Sequence, residues 1–245
     1  MATQANSYEL FHQIRDTLDQ HYDRRERLIK LSRDITQQSK KLIFHLLRIN
    51  ATNRDRIFAE ADKRHQDILA LFTRAAPELQ GSDRWRYAGN ITGGLQEYIE
   101  ALALWWFLRD RVLITIDDIE AQLNLVLPDP SQPRWVVLPS DYLLGVADVG
   151  GELMRHAISS LAKGDPNDAL QICTFLQSLC GDFETLTGPG QREANKKLVV
   201  LRQCLAKVET ACFQAQLQRE EYGDKVDVTL WTEEESADAP HTSYG

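Results

Sequence analysis

The sequence has few of the features that mark membrane, secreted or thiolate-metal proteins. No stretch reaches about 18 consecutive apolar residues, the length of a membrane-spanning helix, so we expect no membrane partner. Residues 1–7 have neither the basic start nor the apolar middle of a secretory signal. The four cysteines, at positions 173, 180, 204 and 212, lack CxxC spacing, which favours reduced thiols over a zinc or disulfide framework.

A net charge of −8 by itself disfavours a nucleic-acid partner, but the charge is unevenly distributed. Residues 224–245 contain six acids and one lysine, a net −5, which leaves −3 for the rest of the chain. A domain whose net charge is close to zero can still have a basic surface. The 245 residues with 43% hydrophobic content predict a folded helical domain over residues 1–222, followed by an acidic tail over 223–245 that we expect to be disordered.

Strand signals and internal repeats are also missing, and the apolar spacing predicts an all-α fold. We expect a seven-helix bundle whose first and last helices are long. Caps, glycines and prolines set the expected helices at residues 7–50, 53–76, 82–109, 115–127, 140–164, 165–180 and 188–221.

The first predicted helix carries an apolar stripe and, on its opposite side, a basic row. The apolar positions recur at roughly 100° per residue, and they are Leu28, Leu31, Ile35, Leu42, Leu46 and Ile49. The opposite side holds Lys30, Arg33, Gln37, Lys40, Lys41 and Arg48. Such a row is often only a solvated face, and Asp34 on the same side weakens it. A nucleic-acid contact is the alternative.

Two helices combine a pair of carboxylates with an apolar setting. The stretch Gly93–Leu108, GGLQEYIEALALWWFL, places Glu97 and Glu100 three residues apart at the head of a run of eight apolar residues. Asp148 and Glu152 lie four residues apart in a later helix, among leucine, valine and methionine. Both spacings put the two carboxylates of a pair on one helix face.

Four such carboxylates in one pocket would repel each other unless a cation neutralised them. Oxygen ligands without histidine or cysteine favour a hard ion, Mg²⁺ or Mn²⁺, which suits phosphate chemistry. A di-iron bundle is disfavoured because neither pair has the Glu-x-x-His spacing. A helical nucleotide pyrophosphohydrolase is a weaker alternative, because its second pair follows sooner and reads E-x-x-D. A nuclease would also explain the basic row.

Four segments closely resemble the TRAX (translin-associated factor X) family of the translin superfamily. They are ERLIKLSRDITQQSKKLIF (26–44), GGLQEYIEA (93–101), DYLLGVADVGGELMR (141–155) and LAKVETAC (205–212). The similarity runs in order from about residue 10 to residue 221. The third segment is highly specific.

The resemblance implies a translin-like all-α subunit that joins translin in a closed hetero-octameric shell of the cytoplasm and nucleus. That assembly is expected to be a Mg²⁺-dependent endoribonuclease for single-stranded RNA, active in passenger-strand removal during RNA silencing and in tRNA fragment processing. The family's acids match Glu97, Glu100, Asp148 and Glu152, which are therefore expected as catalytic metal ligands. Translin looks to lack this set. A non-catalytic RNA- or DNA-binding scaffold partner of translin is the alternative.

The basic row supplies candidates for the phosphate contacts that such an acidic pocket needs. Four acids repel RNA, and a bound metal offsets only part of their charge. The predicted RNA-binding residues are Lys30, Arg33, Lys40 and Lys41, in the densest run of positive charge in the chain.

Overall fold

The computed structural model describes residues 2–81, 84–125, 127, 134–186 and 191–222, and every regular element in these ranges is helical. The α-helices are α1 (Ala2–Leu46), α2 (Arg54–Ala75), α3 (Arg84–Ala88), α4 (Thr92–Asp110), α5 (Ile116–Leu125), α6 (Pro139–Ala162), α7 (Pro166–Glu184) and α8 (Gln191–Tyr222), with a 3-10 helix at Ala76–Leu79. The all-α class and the long first and last helices are confirmed. None of the described helices is long and apolar enough to cross a membrane. The predicted acidic tail, 223–245, lies outside the described residues.

The described ranges contain eight α-helices, not the predicted seven, because one predicted helix is two. The helix expected over residues 82–109 breaks between α3 and α4, at Gly89, Asn90 and Ile91. Glycine lowers helix propensity by about 1 kcal/mol relative to alanine, and asparagine is also a poor helix former. The Asn90 amide donates instead to the Tyr87 carbonyl at 2.9 Å, which forms a turn. This turn separates α3 from α4.

Local capping accounts for several of the helix starts. At α5, the Asp118 amide donates to Thr115 Oγ1 at 3.2 Å and the Thr115 amide donates to the Asp118 carboxylate at 3.3 Å, which forms a capping box. At α7, the Asp165 carboxylate accepts from the Asp168 amide at 3.1 Å. At α2, Asn53 is the N-cap residue, but its side chain does not cap the helix. The Asn53 side-chain oxygen accepts from the Asn50 amide and makes no bond to the helix.

The chain divides into two compact units, residues 1–146 and 147–245, so that α6 begins in the first and ends in the second. In the first unit, α1 packs against α2 and α4. The predicted apolar stripe lies on the packed side of α1, where Leu28, Leu31, Ile35, Leu42 and Leu46 are buried. Ile49 is also buried but follows the helix, which ends at Leu46 and not near residue 50. The predicted orientation of α1 is therefore correct.

Glycines bring the backbones of the first unit close to one another around α4. A Cβ on Gly94 would lie 2.8 Å from the Ser32 carbonyl oxygen of α1, and the Gly94 amide donates to Ser32 Oγ at 3.0 Å. A Cβ on Gly145 would lie 2.7 Å from the Gln96 carbonyl oxygen of α4 and 2.8 Å from Ile99. Larger residues at these two positions would push α1 and the start of α6 away from α4.

In the second unit, α7 and α8 pack against each other, and α6 approaches α8 closely. A Cβ on Gly150 would collide with a methyl group of Leu201 in α8. All four cysteines are free and buried, as expected for reduced thiols. Burial raises the pKa of the Cys212 thiol to about 11, so its thiolate is scarce at neutral pH.

A buried histidine contacts α4 and makes the stability of the fold depend on pH. His65 Nε2 lies 2.7 Å from the Tyr98 hydroxyl, and burial lowers the pKa of His65 to about 4 from 6.5. The unfolded chain therefore binds more protons than the folded chain between these values. We expect stability to fall as the pH drops from 6.5 to 4, by up to about 3 kcal/mol from this residue. In thermal unfolding, His65→Gln should lose less stability than the wild type between pH 6.5 and 4. The same pH dependence in both proteins would show that His65 is not the cause.

Candidate functional site

The first carboxylate pair lies on the second and third turns of α4. Glu97 and Glu100 are both half-buried, and the helix beyond them is buried on almost every side, as predicted. The Lys40 ammonium of α1 lies 3.8 Å from Glu97 Oε2, whose side chain is 18% exposed. The preceding residue is also fixed, since Gln96 Nε2 donates to the buried Asp141 carboxylate at 2.8 Å. The Glu97 carboxylate is thus held beside a cation.

The second pair lies on α6, in the second unit. Lys197 Nζ of α8 donates to Asp148 Oδ1 at 2.5 Å. An Arg155 guanidinium nitrogen lies 3.5 Å from Glu152 Oε1, and the Glu152 side chain is 17% exposed. The other oxygen, Glu152 Oε2, is buried and has no hydrogen-bond partner among the described residues. A buried acceptor without a donor is costly, so a hydrogen bond from a ligand or water would stabilise this atom.

The donor chemistry of the two pairs fits a hard divalent ion. All four predicted ligands are half-buried carboxylates, and Glu152 Oε2 is available. However, across the described part of the chain, no three histidine, cysteine, aspartate or glutamate side chains are gathered around one point as a metal site requires. Glu97 and Asp148 each face a lysine. Metal binding by these acids therefore remains a prediction.

The predicted RNA-binding row is on the surface of α1. Lys30, Arg33, Lys40 and Lys41 are all exposed. Lys40 differs from the other three, because its ammonium is near Glu97 and so next to a predicted metal ligand. The other three remain candidates for phosphate contacts.

A second basic surface lies around α3, outside the residues predicted from the sequence. Trp85 is 67% exposed, and the Arg84 guanidinium lies 5.3 Å from its ring centroid. Arg84 also donates to the Arg134 carbonyl at 3.1 Å. These residues border a cavity of about 290 Å³ whose other walls are mostly apolar. The RWR run at 84–86 was the available signal, since exposed aromatic and basic side chains together are typical of single-strand binding surfaces.

A family model for translin matches residues 23–219. The chain belongs to the translin family. It is 36% identical to rat (Rattus norvegicus) translin-associated protein X over 228 residues, covering 86% of this chain and 79% of that protein. The protein of the same name from Pongo abelii is 38% identical over the same coverage. A homologue from Schizosaccharomyces pombe is 29% identical over 84% of this chain and 86% of that one. The resemblance to the TRAX branch of the translin family is thus confirmed.

Solved structures share the fold at lower identity. The crystal structure of apo-NeC3PO has a TM-score of 0.67 and 21% identity, covering 84% of this chain and 96% of that one. The structure of an AfC3PO complex with duplex RNA has a TM-score of 0.61 and 22% identity, covering 86% and 98%. These likenesses show that the arrangement of helices is a translin-family fold.

Proposed function

We propose that this chain is the nuclease-bearing subunit of a complex with translin, cleaving single-stranded RNA with the help of Mg²⁺ or Mn²⁺. The observation that carries the proposal is the two carboxylate pairs, Glu97 with Glu100 and Asp148 with Glu152, in a chain whose relatives are TRAX proteins. Passenger-strand removal and tRNA fragment processing in the cytoplasm and nucleus are the proposed roles of that activity.

The periodicity of α6 places its two acids on one face of the helix. Gly145, Asp148 and Glu152 are spaced by three and four residues, which places them on one face of the helix. Gly145 is the residue at which α6 touches α4, beside Gln96 and Ile99. The assignment of all four acids to one centre rests on the TRAX resemblance, whose acids match these four positions.

Each of the four acids would have its own role in a hydrolytic cleavage. Glu97, Glu100 and Asp148 would hold the ion, which when bound polarises a phosphoryl oxygen and lowers the pKa of water. Glu152 is either a fourth ligand or the residue that orients the attacking water. Its unpartnered, buried Oε2 favours the second role, since this oxygen can accept a hydrogen bond from water and then hold the proton.

Two exposed helix faces, one apolar and one partly apolar, support an obligate partner. On α1, Phe11, Ile14, Leu18 and Tyr22 share one face and all are exposed. On α8, the exposed face consists of Val199, Gln203, Ala206, Thr210, Phe213 and Leu217. Both rows have the spacing of three and four residues that is typical of helix–helix seams. We propose that translin covers these faces, as the name of the TRAX relatives suggests.

The basic row of α1 is the proposed electrostatic contact with RNA. We expect Lys30→Ala with Arg33→Ala to weaken RNA binding equally across sequences while the saturated cleavage rate is largely kept. Removing one phosphate-binding side chain should flatten the log–log salt dependence for a single strand by about 0.7, so this pair should change the slope by about 1.4. Affinity measured against salt concentration checks this, and an unchanged slope means that these side chains only face solvent.

Trp85 is the proposed stacking platform for a base. Stacking on an aromatic side chain contributes about 1–3 kcal/mol per base, so Trp85→Ala should weaken RNA binding by about 5-fold or more. Trp85→Phe keeps an aromatic face and is the matched control. Equal affinities for Trp85→Ala and wild type would remove this surface from the RNA path.

The proposal as a whole is tested by coexpression with translin, followed by an RNA cleavage assay with and without EDTA. We expect cleavage of a single-stranded oligonucleotide that EDTA abolishes and Mg²⁺ restores. A complex that binds RNA but never cuts it would favour the scaffold function. Hydrolysis of dNTPs in preference to RNA would indicate a pyrophosphohydrolase.

A further inference from the structure

Lys197 contacts a predicted metal ligand from a different helix. Its Nζ donates to Asp148 Oδ1 at 2.5 Å, and the two side chains are 35% and 42% exposed. The two residues are 49 apart in the sequence, so the contact depends on how α8 packs on α6. No capping or helix-surface rule requires it. The contact is therefore specific to the tertiary structure of the second unit.

The packing of α6 on α8 positions this lysine. Leu201, one turn after Lys197, is 1% exposed and lies directly over Gly150, where any Cβ would collide with it. Gly150 is two residues after Asp148. This close approach holds the Lys197 stem next to the Asp148 carboxylate, since Leu198 beside it is also buried.

The neighbouring lysine, Lys196, has a different partner. Lys196 pairs with Glu193 on its own helix at 2.7 Å, and both side chains are more than half exposed. Consecutive helical residues point about 100° apart, so Lys196 faces solvent while Lys197 faces α6. Lys196 is thus a matched control with the same charge and length.

The first unit repeats the pattern, with Lys40 of α1 placed 3.8 Å from Glu97 of α4. In each pair the first acid faces a lysine supplied by one of the two long helices. Paired carboxylates repel each other, and a nearby cation relieves that repulsion. A lysine can do so when no metal ion is bound, and it must move away when an ion takes the same oxygen atoms.

We propose that Lys197 is the resident counter-cation of Asp148: it holds the carboxylate in the metal-free subunit and gives it up when a divalent ion binds. Lys197 is a positioning residue, because it acts on the ligand and not on the substrate. The inference rests on the proposed function. It predicts that lysine and metal compete, so that removing the lysine strengthens metal binding. A half-exposed ion pair of this kind corresponds to about a 2- to 5-fold change in affinity.

The test measures the affinity of Mn²⁺ for the complex of the full-length chain coexpressed with translin. The EPR signal of free Mn²⁺ reports how much of the ion remains unbound. Lys197→Ala should bind Mn²⁺ about 2- to 5-fold more tightly than wild type. Lys197→Arg, which keeps the charge, should stay close to wild type, and so should Lys196→Ala. A merely structural lysine would not produce this order, since its removal would leave metal affinity unchanged or weaken it.

Two results overturn the inference, and they are distinguishable. In the first result, the wild type binds Mn²⁺, Asp148→Asn does not, and Lys197→Ala binds with wild-type affinity. The metal site is then supported and the proposed role of Lys197 is wrong. If the wild type binds Mn²⁺ no better than Asp148→Asn, then Asp148 is not a ligand and the proposed metal centre fails together with the competition.

Discussion

A complex carrying Glu100→Gln or Asp148→Asn is expected to cleave RNA at least about 100-fold more slowly than the wild-type complex, while it still binds RNA. Each substitution keeps the shape of the side chain and removes a charge that the metal ion needs. Asp148 is 42% exposed and its ion pair with Lys197 contributes at most about 1 kcal/mol. Folding should therefore be nearly unaffected, and the loss should appear in single-turnover cleavage at saturating Mg²⁺.

Matched controls separate this effect from a general loss of acidic charge. Asp110 is on the same helix as Glu100, at its other end, and is an exposed partner of Arg109. Glu193 is an exposed acid of α8. Asp110→Asn and Glu193→Gln should cleave like the wild type. Near wild-type turnover in either Glu100→Gln or Asp148→Asn would remove that residue from the centre.

Loss of the apolar face of α1 is expected to abolish assembly with translin and, with it, most of the activity. The helix is about 68 Å long, which is longer than a compact unit of this size needs. Phe11 and Leu18 are 70% and 59% exposed, and burying such side chains typically contributes about 1.5–3 kcal/mol each. Phe11→Asp with Leu18→Asp should therefore prevent co-purification with translin, as measured by size exclusion with light scattering.

The opposite side of the same helix provides the control for added charge. Gln13 and Gln20 are exposed and lie about half a turn from Phe11 and Leu18. Gln13→Asp with Gln20→Asp should assemble normally. The chain expressed without translin should aggregate or stay inactive. A soluble, monomeric and fully active preparation of the chain alone would contradict the proposed dependence on assembly.

Local signals explain which parts of the fold could be predicted from the sequence. The starts of α5 and α7 follow from side chains within four residues of each helix, such as Thr115 with Asp118. The apolar stripe of α1 follows from spacing alone. The separation of α3 from α4 was missed, because Gly89 and Asn90 are weak helix breakers whose effect depends on how α4 packs against α1 and α6.

In the candidate site, too, only the local arrangement could be predicted from the sequence. Spacing predicts that Glu97 and Glu100 share a helix face, because the two residues are neighbours on one element. It does not predict that Lys40 and Lys197 approach Glu97 and Asp148, since these contacts join helices far apart in the sequence. The spacing of α1 groups Lys40 with the predicted RNA-binding row, while the fold also brings its ammonium to 3.8 Å from Glu97 Oε2. The surrounding helices, not the local sequence, decide which charges meet.

The proposal that one metal ion is shared by the acids of α4 and α6 is tested most directly by anomalous diffraction from crystals of the translin complex grown with Mn²⁺. We predict an anomalous peak at about 2.1 Å from carboxylate oxygens of both helices, with ligands from Glu97, Glu100 and Asp148. The peak should disappear in crystals of Asp148→Asn. Manganese bound elsewhere in the chain, with no peak at these carboxylates, would contradict the proposed centre.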